Sequence, residues 1–214
     1  MTVAVSSLKF LIWAVAVLVL VSGKRQKREY SVLSWNDCGG PDKVLHIESL
    51  SISPMPVILP GVMRITSSAH SSATISAASL ELTIKRSTFL GYITVPCISN
   101  VGSCTYDDMC TLVDTMEREN WAGISRQVSN QIRGFLQSAG ISSTCPVPPS
   151  EINVTEYPFQ MPELPSILNF LADGNYRVNF RIRDRSSHRV LGCFNVNMSL
   201  KKEETRGWFF FRRR

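Results

Sequence analysis

GNYRVNFRIRDRSSHRVLGCFNVNMSL, residues 174–200, carries the clearest structural pattern in the chain. Apolar and polar residues alternate in its first half and again after Gly192. Such alternation places the apolar side chains on one face of a β-strand. Between the two halves, Asp184 to His188 has the composition of a turn. The stretch therefore predicts an antiparallel hairpin with one buried face, formed by Tyr176, Val178, Phe180, Ile182, Phe194, Val196 and Met198.

The same alternation extends upstream, where Leu80, Leu82 and Ile84 are separated by polar residues. Weaker strand patterns cover residues 30–35, 45–52, 62–67, 92–95 and 152–159. Eight short strands joined by Pro- and Ser-rich segments are typical of a mainly β sandwich, barrel or cup. From the residues alone, the inward-facing side chains can fill a packed core or line a cavity, since both use the same pattern.

One region departs from the two-residue period. Between Tyr106 and about Gln137, apolar residues recur at spacings of three and four, which predicts one or two amphipathic helices. This region overlaps the segment from Cys110 to Cys145. We interpret it as a helical lid packed on the sheet. Its apolar positions are Met109, Leu112, Val113, Met116, Val128, Ile132, Phe135 and Leu136.

The first 23 residues have the pattern of a secretory signal peptide, with Lys9 before a twelve-residue apolar run. A membrane-spanning helix needs about 20 apolar residues, so an uncleaved anchor is the weaker alternative. Residues 24–28 form a basic linker or a propeptide. The remaining length suits one domain, residues 29–201, followed by a basic and aromatic tail at residues 202–214.

The net charge of +6 is concentrated at the two ends of the chain. Residues 29–200 contain 12 Lys and Arg against 15 Asp and Glu, a net charge of −3. A mildly acidic body does not offer the continuous basic face that phosphate neutralisation requires. Nucleic acid is therefore not an expected partner.

Six cysteines follow the signal, an even number that points to three disulfides in an oxidising compartment. No Cys-x-x-Cys spacing occurs, and the three histidines lie far from the cysteines, so no metal site is expected. Asn153-Val-Thr and Asn197-Met-Ser are glycosylation acceptors on a secretory route.

The motifs of a secreted hydrolase are missing from the sequence. It contains no Gly-x-Ser-x-Gly elbow, no His-Glu-x-x-His and no phosphate loop. Asp107 and Asp108 are adjacent carboxylates in a predicted loop, and a glycosidase instead places its two carboxylates on opposite sides of the scissile bond. We expect no catalytic residues.

The sequence resembles the ganglioside GM2 activator family, within the wider group of MD-2-related lipid-recognition and activator proteins. The resemblance spans almost all of the chain after the signal. It is carried by SWNDC at residues 34–38, ITVPC at 93–97, VGSCTYDDMC at 101–110, ELPS at 163–166, GNYR at 174–177, and RVLGC at 189–193 leading into SLK at 199–201.

The resemblance implies an antiparallel β-cup with a large apolar lipid cavity, a short helical insertion and no cofactor. It also implies the disulfides Cys38 with Cys193, Cys97 with Cys104, and Cys110 with Cys145. The family has a further disulfide in the helical region that this chain lacks, which leaves the conformation of residues 120–144 open. The cavity lining is then expected from Leu80, Leu82, Ile84, Tyr176, Val178, Phe180, Ile182, Phe194, Val196 and Met198.

The implied function is non-enzymatic. Such a protein lifts a glycosphingolipid or other membrane lipid from the membrane surface and presents it to a soluble lysosomal glycosidase such as a β-hexosaminidase, in the lysosome or outside the cell. The alternative function is a secreted lipid-recognition module that acts as a co-receptor or protein-binding partner.

Membrane contact is expected from two apolar connections, at Phe89, Leu90 and Tyr92, and at Ile167, Leu168, Phe170 and Leu171. The alternative is that these residues are strand ends buried in the core. The tail RGWFFFRRR, residues 206–214, has the composition of a segment that lies in the interface of an anionic membrane, or it is a disordered terminus.

Overall fold

The computed structural model describes residues 29–203. The predicted signal peptide, the basic residues 24–28 and residues 204–214 of the predicted tail lie outside the described residues, whereas Lys202 belongs to the last strand. Within residues 29–203, no helix is both long and apolar enough to span a bilayer. The described part of the chain forms ten strands and two α-helices, which confirms the mainly β prediction.

The strands are β1 (Ser34–Asp37), β2 (Leu45–Ser53), β3 (Val57–Leu59), β4 (Gly61–Ser71), β5 (Ala78–Thr88), β6 (Gly91–Thr94), β7 (Thr105–Tyr106), β8 (Ser150–Met161), β9 (Gly174–Asp184) and β10 (Val190–Lys202). The helices are α1 (Leu112–Glu119) and α2 (Ser125–Ser138), with a short 3₁₀ turn at Trp121–Gly123 between them. A longer 3₁₀ segment, called the 3₁₀ helix below, covers Ser166–Leu171. The sequence patterns missed β3 and β7, since two or three residues are too few to show alternation.

Two sheets face each other. The larger has the strand order β1-β10-β9-β5-β6, with β3 added parallel to β10 and β7 paired with β5. The smaller has the order β2-β4-β8, with antiparallel pairing throughout. Leu80 and Phe194 of the larger sheet and Ile47, Ala69 and Ile152 of the smaller line a common space between them. This arrangement is the predicted antiparallel β-cup.

The predicted hairpin is present, with Phe194 opposite Phe180 and Val196 opposite Val178. Its turn is stabilised by the Asp184 carboxylate, which accepts hydrogen bonds from the backbone amides and hydroxyls of Ser186 and Ser187. The Ser186 hydroxyl and then the Ser187 amide hold the pKa of Asp184 well below its ordinary value. The turn is therefore built to keep this carboxylate ionised.

The turn at residues 184–188 marks one end of the cup, which we call the hairpin end. The amide of Val44 donates to the carbonyl of Leu191 at 2.8 Å, which brings the start of β2 to this end. A small core of Val44, Ile75, Ala78, Ile182 and Leu191 packs here. Leu45 of β2 packs against this core, which connects the smaller sheet to the larger.

The opposite end, which we call the tip end, holds the β5–β6 turn and the 3₁₀ helix. The Arg86 guanidinium, near the end of β5, donates to the Asp173 carbonyl at 2.8 and 3.2 Å. The Tyr176 hydroxyl donates to the Leu171 carbonyl at 2.8 Å. These bonds fasten the 3₁₀ helix beside the end of β5, so two connections distant in sequence share one end of the cup.

Candidate functional site

An apolar cavity of about 450 Å³ lies between the two sheets, towards the hairpin end. Three groups of side chains form its wall. The larger sheet contributes Ala78, Leu80 and Phe194; the smaller contributes Leu45, Ile47, Ala69 and Ile152; and the segment from Met109 to Val147 contributes Met109, Leu112, Val113, Met116, Ile132, Leu136, Ile141 and Val147. Its size falls in the usual range of small-molecule sites, about 300 to 1,000 Å³.

The helical lid, α1 and α2, closes one side of this cavity. The apolar faces of both helices line the cavity, and the Cys110–Cys145 disulfide ties together the segments on either side of the helix pair. Arg133 of α2 reaches Asp114 at 3.0 Å and Glu117 at 2.7 Å on α1, which holds the helices together. The structure thus assigns a helical conformation to much of residues 120–144, which the sequence left open.

Helix α2 packs closely against β8. The rings of Phe135 and Tyr157 meet edge to face, with centroids 5.4 Å apart. At Gly134 a Cβ atom would lie 2.6 Å from the Tyr157 hydroxyl oxygen. Gly134 therefore costs the helix some intrinsic stability but allows it to approach the strand.

The cavity has a polar edge on β2 and β4. His46 and His70, opposite each other in the ladder, stack with ring centroids 4.7 Å apart, and His70 Nδ1 lies 3.1 Å from Glu48. The hydrogen bond from Ser68, followed by that from His70, lowers the pKa of Glu48. An amphipathic ligand would therefore find a polar rim beside the apolar wall.

Two of the ten residues predicted to line the cavity do so, Leu80 and Phe194. Three others, Tyr176, Ile182 and Val196, are buried in packing contacts outside this lining. The remaining five share the inner face but lie nearer the tip end, and each stays partly exposed. They are Leu82, Ile84, Val178, Phe180 and Met198. These five residues extend the apolar inner face from the cavity towards the tip end.

Large apolar side chains are exposed at the tip end. In the β5–β6 turn, Phe89 is 91% exposed and Leu90 is 81% exposed. On the 3₁₀ helix, Ile167 is 57% exposed and Phe170 is 43% exposed. We call these four residues the apolar tips. Such a cluster differs from scattered surface residues because it concentrates apolar area in one place.

The remaining residues predicted for membrane contact behave differently. Leu168 is only 1% exposed, so its assignment to a contact surface was wrong: the 3₁₀ helix turns it inward between Ile167 and Phe170. Leu171 is half-buried. Tyr92 is held under the Arg177 guanidinium at 3.9 Å, and its hydroxyl lies 3.0 Å from that of Tyr30.

The three disulfides pair as the resemblance implies. Cys38–Cys193 joins the residue after β1 to β10 across 155 positions, whereas Cys97–Cys104 closes a loop of seven. Among the described residues no cysteine is free. Three disulfides in a single small domain are typical of proteins that fold on the secretory route.

The two glycosylation acceptors differ in accessibility, which leads to a prediction. Asn153 and Thr155 are exposed on β8, whereas Asn197 donates to the Ser34 hydroxyl at 3.0 Å and its partner Ser199 is fully buried. We expect a glycan on Asn153 and none on Asn197 in protein from a secretory host, as peptide mapping by mass spectrometry would measure. Asn153→Gln should remove the glycan mass, and Asn197→Gln should leave it unchanged; a glycan found on Asn197 would contradict the prediction.

Fold and site together define a class: a disulfide-bonded β-cup that encloses an apolar cavity under a helical lid. Comparison with known proteins identifies the family, because a family model described as the ML domain matches residues 32–200. The chain belongs to the ML domain family, and its resemblance to the GM2 activator is confirmed by curated relatives.

Two relatives carry the name ganglioside GM2 activator. The mouse protein is 26% identical over 169 residues, which cover 78% of this chain and 81% of the relative. The protein of Macaca fascicularis is 25% identical over 191 residues, which cover 88% of this chain and 93% of the relative. Among solved structures, a Niemann-Pick type C2 protein from the Japanese carpenter ant aligns with a TM-score of 0.39 and 12% identity, over 78% of this chain and 99% of that one.

Proposed function

We propose that this protein takes a glycosphingolipid, or another membrane lipid, out of the membrane surface, holds its hydrocarbon in the apolar cavity and offers its headgroup to a soluble glycosidase. The observation that carries the proposal is the cavity, walled by apolar side chains from both sheets and the helical lid. A buried methylene contributes about 0.8 kcal/mol, so an acyl chain would lose more than about 10 kcal/mol on entering water. A dry apolar cavity removes most of that cost.

The apolar tips support a docking role at the membrane. They lie at the opposite end of the cup from the cavity, and the partly exposed inner residues Leu82, Ile84 and Phe180 extend between the two. A lipid that enters at the tip end would therefore follow an apolar surface to the cavity. The protein itself needs no catalytic group for this role, and a β-hexosaminidase is the kind of lysosomal partner we propose.

The docking step leads to a prediction. Replacing Phe89 and Leu90 with Glu should weaken binding to phosphatidylcholine vesicles by about a hundredfold, because burial of each apolar side chain contributes about 1.5 to 3 kcal/mol. Vesicle flotation measures the change. The double variant Ala73→Glu with Thr74→Glu adds the same charge at two exposed positions before β5, near the hairpin end, and should bind like the unmodified protein.

Two further assays separate docking from lipid binding and from presentation. The Phe89 and Leu90 variant should still take a fluorescent acyl lipid from detergent micelles, because the cavity is unchanged. Hydrolysis of a vesicle-bound glycolipid by purified β-hexosaminidase should accelerate with the unmodified protein and much less with this variant. If the unmodified protein neither removes lipid from vesicles nor accelerates hydrolysis, the proposed function is wrong.

A further inference from the structure

The outer face of the larger sheet bears a second concavity, of about 600 Å³, which we call the outer groove. It crosses four neighbouring strands, β1, β10, β9 and β5, on the face opposite the apolar cavity. Eight of its nine lining residues are polar. They are Asn36, Thr83, Lys85, Arg177, Asn179, Arg181, Asn195 and Asn197, and the ninth is Val178.

The outer groove has an excess of positive charge. No carboxylate among the described residues lies within 4 Å of the Lys85 or Arg177 cationic groups. Arg181 is 3.8 Å from Glu81, but that carboxylate makes a closer contact, 2.7 Å, with Arg183. Three cations therefore gather on one face of a body whose net charge is −3, which favours an anionic ligand.

The asparagines of the outer groove supply hydrogen-bond donors and acceptors beside the positive charge. Asn179 donates to the Asn195 side-chain oxygen at 2.8 Å and to the sulfurs of the Cys38–Cys193 disulfide at 3.4 and 3.6 Å, and Asn36 donates to the Asp37 carbonyl at 3.3 Å. A carboxamide has two N–H donors and an oxygen with two lone pairs, so each of these bonds uses only part of it. Groups that both donate and accept are suited to sugar hydroxyls, which do the same.

The composition favours a small polar ligand over a protein partner. Protein interfaces draw most of their binding energy from buried aromatic and apolar anchors. The one apolar residue in the lining, Val178, belongs to the inner face of β9 and offers no such anchor to the outer groove. The volume, about 600 Å³, suits a ligand of a few sugar rings. We propose that the outer groove binds an acidic oligosaccharide, with a carboxylate or sulfate on Lys85, Arg177 or Arg181 and hydroxyls on the asparagines.

The test uses 3′-sialyllactose, a trisaccharide with one carboxylate, and lactose as its neutral counterpart. Titration followed by NMR should show saturable shifts of the Asn36, Asn179 and Asn195 side-chain amides with the acidic sugar. Added salt should weaken the binding, since charge pairs near the surface are screened. Lactose should bind at least about tenfold more weakly than 3′-sialyllactose, because it has no carboxylate to form a charge-assisted hydrogen bond.

Variants locate the site. Lys85→Gln with Arg181→Gln should reduce affinity for 3′-sialyllactose by about tenfold or more, whereas Arg189→Gln, which removes an exposed cation at the hairpin end, should not. Ala69→Trp, inside the apolar cavity, should leave sugar binding unchanged, which separates this site from the proposed lipid function. Equal binding of lactose, or an undiminished affinity in the double variant, would overturn the proposal.

Two further binding experiments identify the source of the sugar and the class of partner. Vesicles that display the same trisaccharide on a lipid should bind with the same dependence on Lys85 and Arg181. Tighter binding there than to the free sugar would identify a lipid headgroup, and equal binding would identify soluble glycans. If a hexaglutamate peptide displaces 3′-sialyllactose at similar concentration, the outer groove is a surface for acidic proteins and the oligosaccharide proposal fails.

Discussion

Ala69→Trp should strongly weaken lipid binding and leave the protein folded. Ala69 lies on β4, opposite Ile47 and Ile152, and lines the apolar cavity. An indole placed there would occupy space that the lipid chain needs. Affinity for an acyl lipid should fall by more than about tenfold, because each 1.4 kcal/mol of lost contact is a factor of ten.

Stability distinguishes this result from simple unfolding. Filling an apolar cavity commonly stabilises a protein by about 0.5 to 2 kcal/mol, so the urea midpoint of the Ala69 variant should be unchanged or raised. Native mass spectrometry after exposure to vesicles measures the bound lipid directly. Glu151→Trp adds the same ring on the exposed outer face of neighbouring β8 and should load lipid normally. Full loading of the Ala69 variant would place the lipid elsewhere.

Removing the Cys38–Cys193 disulfide should produce the largest loss of stability. The bond closes 155 positions, and in the chain-entropy model such a loop restrains the unfolded chain by about 5 kcal/mol. It also holds β1 against β10, where the Cys38 amide donates to the Cys193 carbonyl at 2.9 Å. Because native proteins are stable by about 5 to 15 kcal/mol, the Cys38→Ala, Cys193→Ala variant should be close to unfolding.

The matched control is the Cys97→Ala, Cys104→Ala variant. Its loop has a sequence separation of seven, so the same model gives a loss of about 2 kcal/mol. Urea unfolding followed by tryptophan fluorescence compares the two variants, and the yield from a secretory host gives a second measure if the first variant does not fold. Equal losses from the two pairs would show that loop length does not control the effect.

The strands that were best predicted from the sequence belong to the larger sheet. In β9 and β5 the ladder runs without a register shift from Ala78 opposite Asp184 to Arg86 opposite Tyr176. Unbroken pairing keeps alternate residues on one face, so the period-two pattern survives in the sequence. The apolar faces of α1 and α2 were visible for a similar reason, because a regular helix repeats its inward positions at fixed spacing.

The smaller sheet was harder to predict because its strands are interrupted. The β2–β4 ladder shifts register between Ile47 and Ser49, where β2 has an extra residue. The β4–β8 ladder shifts opposite Ile65 and Ser67, where β8 has the extra residue and Glu156 has a positive φ of 53°. Each irregularity moves the following side chains to the other face, which erases alternation. The cavity residues Leu45, Ala69 and Ile152 therefore had no sequence signal that assigned them to a site.

The sequence by itself determined the hairpin, the mainly β class, the amphipathic lid and the family, because these depend on local periodicity and on motifs in a fixed order. The tertiary structure decided which apolar residues surround empty space and which are packed, since that depends on the distance between two sheets. It also decided that Phe89 and Ile167 share one end of the cup while Leu168 is buried beneath. Contacts between residues far apart in the chain set those positions, and no local pattern encodes them.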